Sequence, residues 1–145
     1  AEFIKLLVSM LEDVPFGQYT NAPFDDVDSN DWYSKYIAWA VQNNIVHGYD
    51  DGSFGPNDPI TREQMAVMLH NFAKAIDLKF ASENQELKFN DQDQISSWAA
   101  SAIQAIQKAG IVNGDETGNY NPRGNTTRGE AAKVIAELLK LQCQI

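Results

Sequence analysis

The sequence predicts an all-α fold built from tandem helix-loop-helix units. Two observations support this prediction: the chain repeats itself with a period of 66 residues, and apolar residues recur at helical spacing on both sides of a glycine-bearing loop in each copy. Eleven identities appear when the stretch from Trp32 to Lys74 is compared with Trp98 to Lys140. Tryptophan, glycine, proline and arginine recur in the same order, which chance rarely supplies.

The first copy spans residues 24–78, and we predict helices near 32–44 and 61–76 within it. Apolar residues at helical spacing follow a polar run that can cap the first helix. The second helix begins with Thr61 and Gln64 in the spacing of a capping box, in which each side chain bonds the backbone N–H of the other residue. A loop rich in glycine and proline joins the two helices.

The second copy spans residues 89–143, with helices predicted near 97–109 and 127–141. No sheet is expected beyond short pairings in the loops. The predicted caps are a serine before Trp98 (Ser96 or Ser97) and the pair Thr127 and Glu130.

The first segment, residues 1–14, repeats the pattern of the second helix, because Phe3 and Leu7 match Met65 and Leu69. We therefore predict a helix near 2–12 that belongs to an earlier, incomplete unit. An incomplete unit leaves apolar surface uncovered, so we expect self-association or a compensating contact.

Composition excludes several classes of function. Apolar residues make up 43% of the chain and charged residues 21%, as in globular proteins. The formal net charge of −9 argues against binding to nucleic acid or anionic lipid. The longest apolar stretch, from Phe3 to Leu11, is interrupted by polar residues and too short to cross a bilayer. One cysteine, Cys143, and two isolated histidines predict neither a disulfide nor a metal or cofactor site.

At the level of motifs, each copy resembles an S-layer homology repeat. In the first copy the resemblance rests on the runs 24–27, 32–37, 45–57 and 60–63. The second copy keeps most of this pattern and departs from it at 115–120, within its loop. The residues that it keeps are Phe89, Asp91, Trp98, Ile111-Val112-Asn113-Gly114, Pro122 and Thr127-Arg128-Gly129-Glu130.

The resemblance implies a pseudo-threefold helical bundle with projecting helix-loop-helix prongs, of which this chain would supply the last two and a half repeats. It also implies a non-enzymatic role. Such modules anchor secreted proteins noncovalently to polysaccharides of the bacterial cell wall, often ones that carry a pyruvate ketal on N-acetylmannosamine. The sugar lies in grooves between repeats, and the family's best known ligand contact falls on Arg62 and Arg128 here.

The chemistry of the two arginines agrees with this implication. A ketal carboxylate is ionised at neutral pH and suits a planar, permanently charged donor. Arg62 and Arg128 each lie in the first turn of a predicted helix, where backbone N–H groups also favour an anion. The alternative is a structural ion pair with a nearby aspartate such as Asp26 or Asp91, and an aspartate that orients the guanidinium would reconcile the two readings.

Aromatic and glycine residues complete the candidate site. A pyranose ring needs a flat apolar face, yet Trp32 and Trp98 begin helix stripes and are predicted to pack in the core. For the loop aromatics both roles stay open, and the glycines serve either a turn or close approach of a ligand. The candidate ligand-binding set is Arg62, Arg128, Asp26, Asp91, Gly48, Tyr49, Gly52, Phe54, Trp98 and Gly114.

Rival interpretations have specific weaknesses. Residues 26–30 have the first ligand spacing of an EF-hand, but Asp31 and Ile37 stand where its glycine and glutamate belong. No carboxylate pair marks a glycosidase, and a catalytic constellation is rarely duplicated in tandem. A helical module for protein–protein assembly at the cell surface remains as the alternative. For the anchor we predict one dominant groove, which joins Arg62 to the segment around Phe89, Asp91 and Trp98.

Overall fold

The structure is a computed structural model that describes residues 1–9, 11, 16–19, 22–78, 89–112 and 114–143. These residues form five α-helices and two single turns of 3-10 helix, at Phe16–Gln18 and Gln92–Gln94. Pairing between strands is limited, within these ranges, to one isolated antiparallel bridge between Thr61 and Asn125. The all-α prediction is therefore confirmed. The helices are α1 (Glu2–Val8), α2 (Ser34–Gln42), α3 (Arg62–Ala75), α4 (Ala100–Lys108) and α5 (Arg128–Cys143).

The helices that open each prong start later than predicted. Helix α2 starts at Ser34 and α4 at Ala100, two and three residues after the predicted starts. Neither helix has a side-chain cap, and the residues just before them form turns. Helix α3 begins as predicted, since Thr61 and Gln64 form a complete capping box. The predicted end of α1 lies outside the described residues.

Two compact units divide the chain, one at Ala1–Asp58 and the other at Pro59–Ile145. In the first unit α1 packs against α2, and the turn at Phe16–Gln18 also packs on α2. The Phe16 ring lies 5.2 Å from the ring of Tyr36 and 5.9 Å from that of Trp39, both edge-on. The buried side chains of the two helices include Phe3, Ile4, Leu7, Val8, Ile37 and Ala40.

The second unit has the same internal organisation, with α3 packed against α4. Its core is formed by apolar side chains that recur on one face of each of three helices, as the apolar spacing predicts. The buried residues are Met65, Ala66, Leu69 and Phe72 in α3, Ala102, Ile103 and Ile106 in α4, and Ala131, Val134 and Leu138 in α5.

Equivalent backbone bonds underline this likeness between the units. The Ala1 nitrogen donates to the Pro56 carbonyl at 3.1 Å, and the Glu63 N–H donates to the Pro122 carbonyl at 3.0 Å. The start of α1 thus contacts the first loop as the start of α3 contacts the second. The repeat limits 1–14, 24–78 and 89–143, and the pseudo-threefold bundle, stay predictions. None of the described helices is both long and apolar enough to span a membrane.

Candidate functional site

An aspartate closes the glycine loop in each unit. Both carboxylate oxygens of Asp26 accept loop N–H groups, from Phe54 and Gly55, at 2.8 Å. These two bonds are the main reason why the pKa of Asp26 lies below its ordinary value. Asp91 repeats the arrangement in the second unit, where its oxygens accept from the N–H groups of Tyr120 and Asn121, also at 2.8 Å. Both candidate aspartates therefore hold their own loops.

Beneath each loop a pair of aromatic rings packs next to a glycine. The rings of Phe24 and Phe54 lie 5.1 Å apart, and Gly48 has a φ of +78° with no room for a β-carbon beside the Phe24 ring. Phe89 and Tyr120 form the equivalent pair at 5.2 Å, beside Gly114. Phe54 is buried in this packing. The geometry thus gives Gly48, Gly114 and Phe54 a packing role in the loops.

Two other candidates face outward from the first loop. Gly52 has a φ of +85°, and the nearest atom to a β-carbon there is 4.0 Å away. Tyr49 is exposed, and its hydroxyl donates to Asp58 Oδ2 at 3.2 Å. Partial burial, followed by this bond to a carboxylate, raises the pKa of Tyr49. This end of the loop offers an exposed aromatic side chain to solvent.

The tryptophans are exposed, so the prediction of core packing is wrong for both. Trp32 is 51% and Trp98 57% exposed. Because α2 and α4 begin two residues after these side chains, neither tryptophan joins the buried helix stripe. The Lys5 ammonium lies 5.2 Å from the centroid of the Trp32 ring, a cation–π distance.

In the second unit the first turn of α3 is fixed against the loop at residues 120–124. The Arg62 N–H donates to the Gly124 carbonyl at 3.0 Å, and the Tyr120 hydroxyl donates to the Arg62 carbonyl at 2.9 Å. Burial raises the pKa of Tyr120, so its hydroxyl stays a donor. The Tyr120 side chain is buried.

The Arg62 side chain is held by a partner that sequence reasoning did not name. Its Nη2 donates to Glu130 Oε1 at 2.6 Å, and the two side chains are 22% and 36% exposed. A β-carbon at Gly124 would overlap Arg62 Nη1, so the guanidinium occupies space that only glycine leaves open. The structural ion pair considered above therefore exists, with Glu130 in place of an aspartate.

Glu63 is a second residue that the sequence analysis missed. Its buried carboxylate accepts from the Ser96 N–H at 3.0 Å and from the Ser96 hydroxyl at 2.9 Å. These bonds place the first turn of α3 beside the segment that leads to Trp98. The available signal was an acidic residue one position after Arg62 together with the serine cap predicted before Trp98.

The candidate residues fall into two sets. Asp26, Gly48, Tyr49, Gly52 and Phe54 belong to the first unit. Arg62, Asp91, Trp98, Gly114 and Arg128 belong to the second, where Arg128 opens α5 and its side chain lies outside the described atoms. Within the described ranges, no three His, Cys, Asp or Glu residues are grouped to hold a metal ion.

Comparison with known proteins places this geometry in a family. The S-layer homology domain model matches residues 23–66 and 88–132, more than half of the chain. The chain is 36% identical to an amylopullulanase of Thermoanaerobacterium thermosulfurigenes over 97% of its length, which is 7% of that protein. It is 35% identical to exoglucanase XynX of Acetivibrio thermocellus over 97% of its length, 13% of that protein.

An S-layer protein is also similar. The chain is 31% identical to S-layer protein EA1 of Bacillus anthracis over 84% of its length, which is 14% of that protein. The chain spans only 7%, 13% and 14% of these three relatives, whose names describe different proteins. Two family matches in tandem agree with the two loops and their equivalent aspartates. The chain belongs to the S-layer homology domain family.

Proposed function

We propose that the chain is a noncovalent anchor that binds a cell-wall polysaccharide at the bacterial surface through a carboxylate, such as that of a pyruvate ketal. The observation that carries this proposal is the part-exposed guanidinium of Arg62, fixed in the first turn of α3. Membership of the family and the likeness to an S-layer protein support the anchoring role.

The surroundings of Arg62 suit an acidic sugar. A guanidinium provides planar N–H donors for a carboxylate, and the N-terminal turn of a helix adds positive potential. Through the bonds between Glu63 and Ser96, the same turn adjoins the segment carrying Trp98, whose exposed ring offers an apolar face to the CH groups of a pyranose. The recognition is therefore local, on a chain whose net charge is −9.

No catalytic role is part of this proposal. The relatives with enzyme names are proteins of which the chain spans 7% and 13%. A surface-anchoring role for the shared segment would explain why it occurs in proteins as different as an amylopullulanase and an S-layer protein. The alternative is a helical module for protein–protein assembly, which would bind another protein and have no need of Arg62.

The test is binding to purified cell-wall sacculi, before and after chemical removal of the pyruvyl groups. We expect Arg62→Ala to weaken binding by about one to two decades, the loss of a charge-assisted hydrogen bond. Arg128→Ala should weaken it less, because Arg62 lies in the turn that adjoins the segment carrying Trp98. The backbone bonds of Arg62 remain in the alanine variant, so its fold should be kept.

Arg123→Ala is the matched control, since it removes the same charge from an exposed loop of the same unit. Equal binding of the folded Arg62→Ala variant would remove the arginine from the mechanism. Capture by sacculi that lack the polysaccharide altogether would favour the protein-assembly alternative.

The stoichiometry should be one dominant site per chain. Residues 1–58 contain no arginine, whereas the second unit has Arg62 beside a loop and the segment before Trp98. Calorimetry with a short pyruvylated fragment measures this number. Two sites of similar affinity would contradict the assignment to Arg62 and the segment around Phe89, Asp91 and Trp98.

A further inference from the structure

Glu130 occupies a position that the chain fills differently in its two repeats. With the 66-residue shift, Gln64 is its equivalent. Gln64 Oε1 accepts from the Thr61 N–H at 3.0 Å and completes the capping box of α3. In α5 the Glu130 N–H still donates to Thr127 Oγ1, at 3.1 Å, but the Glu130 carboxylate turns to Arg62. At the start of α5, the side chain that would complete a capping box therefore forms an ion pair with Arg62 instead.

This ion pair changes what Arg62 presents to a ligand. At 2.6 Å from Glu130 the guanidinium is already neutralised by one carboxylate. Gly124 confines the other side of the group, because a β-carbon there would overlap Nη1. In the first repeat the position of Gly124 is taken by Asp58. An incoming carboxylate must therefore displace Glu130 from Arg62 or share the guanidinium with it, and both carry a cost.

We infer that Glu130 is an internal competitor of the ligand carboxylate at Arg62, and that it sets the affinity of this site for anions. The inference rests on the proposed function in taking Arg62 as the ligand contact. Glu130 thus acts on the ligand through Arg62 and is a specificity-determining residue. Its negative charge repels the ligand carboxylate whether the guanidinium is exchanged or shared.

Glu130→Gln tests this inference with little risk to the fold. Glutamine is the residue that the chain itself uses at the equivalent position, where it completes the box, and the Glu130 side chain is part-exposed. The probes are the methyl glycoside of pyruvylated N-acetylmannosamine and the neutral methyl ester of its ketal carboxylate. We expect about five- to tenfold tighter binding of the acid, the effect of one unit charge roughly 4 Å away in largely aqueous surroundings. Binding of the ester should not change.

The control variant is Glu137→Gln. Glu137 lies on the same helix and pairs with Lys140 at 3.3 Å, so this change alters the net charge equally without touching Arg62. A second readout is the ¹⁵N resonance of the Arg62 side chain during titration with sodium acetate. The shift should reach its midpoint at a lower acetate concentration in Glu130→Gln than in the unchanged chain, and at the same concentration in Glu137→Gln.

The outcomes separate the inference from the proposed function. If the unchanged chain binds the acid, and the Glu130→Gln variant binds it equally or more weakly, the proposed function stands. The inference that Glu130 competes with the ligand is then overturned. If neither chain binds the acid but acetate reaches Arg62 more readily in Glu130→Gln, the competitor stands and the pyruvylated ligand is wrong. If Arg62 responds to no carboxylate in either chain, both are overturned.

Discussion

At the scale of single residues, the loops depend on a few contacts repeated in both units. An aspartate accepts two loop N–H groups, and a glycine lets a phenylalanine ring approach the backbone. These contacts position the loop backbone. The recurrence of the same pair, Asp26 with Gly48 and Asp91 with Gly114, accounts for two of the most regular features of the repeat.

Acid should weaken the first loop through Asp26. Its pKa is lowered in the folded chain by the N–H groups of Phe54 and Gly55, so the ionised carboxylate stabilises the fold above the ordinary value of 3.8. That contribution is lost as pH falls through the lowered pKa. Asp26→Asn should therefore lower the melting temperature at pH 7 and differ little from the unchanged chain at pH 2. Thermal melts across this range measure it, and an equal difference at both pH values would contradict it.

Alanine substitutions at Gly48 and Gly52 distinguish the free-energy cost of a positive φ from the cost of a steric clash in the loop. Both have positive φ, which costs an alanine about 1–2 kcal/mol. At Gly48 the new methyl also meets the Phe24 ring and lies 2.9 Å from the Ser53 carbonyl, whereas at Gly52 its nearest atom is Asp25 Oδ2 at 4.0 Å. Gly48→Ala should cost roughly 1–3 kcal/mol more than Gly52→Ala in the free energy of unfolding. Denaturant titration decides, and equal costs would show that the ring moves away freely.

The sequence predicted residues whose role follows from local chemistry, and it missed those that depend on distant partners. Arg62 was identified through the family resemblance, and its planar charge in the first turn of a helix agrees with binding an anion. Glu130 and Gly124 could not, since their partner is 68 and 62 residues away in the chain. Trp32 and Trp98 were misassigned because their helical spacing with later apolar residues says nothing about where the helix starts.

At the scale of elements, α3 is the best specified helix. Its capping box is local, and its predicted start is confirmed. The starts of α2 and α4 were set too early, because no side chain marks them. What joins α3 to the segment before α4 is the buried Glu63 carboxylate, which accepts two hydrogen bonds from Ser96.

Glu63 and Ser96 should therefore be energetically coupled. Glu63→Ala removes two charge-assisted bonds to Ser96 and is expected to cost about 2–4 kcal/mol in the free energy of unfolding. Ser96→Ala removes one of them and should cost about 1–2 kcal/mol. The double variant should be at least roughly 1 kcal/mol more stable than the sum of the two losses predicts. Additive losses in denaturant titrations would show that the two side chains act independently.

At the scale of the whole molecule, the boundaries of the compact units do not coincide with the boundaries of the sequence repeats. The chain divides between Asp58 and Pro59, after the loop of the first repeat and before its second helix. In the second unit α3 packs against α4, although the two helices belong to different repeats. Comparing the sequence with itself reveals the 66-residue period but not where each compact unit begins, because the period is the same from any starting residue.

A fragment cut at the structural division should fold, whereas one cut at the repeat boundary should not. Residues 59–145 keep the packing of α3 on α4 and three backbone bonds between the start of α3 and the second loop. Arg62 and Glu63 donate to loop carbonyls, and Thr126 of the loop donates to the Ile60 carbonyl. Residues 79–145 contain the whole second repeat but lack α3, so the apolar face of α4 and the loop carbonyls lose their partners. Circular dichroism should show a helical spectrum with a cooperative melt for the longer fragment and weak, non-cooperative ellipticity for the shorter one. Substituting Phe72→Asp in the longer fragment, at a fully buried position of α3, is a control that should abolish its melt. A cooperative melt of residues 79–145 would mean that the sequence repeat is the folding unit, and that α3 is only an attached neighbour.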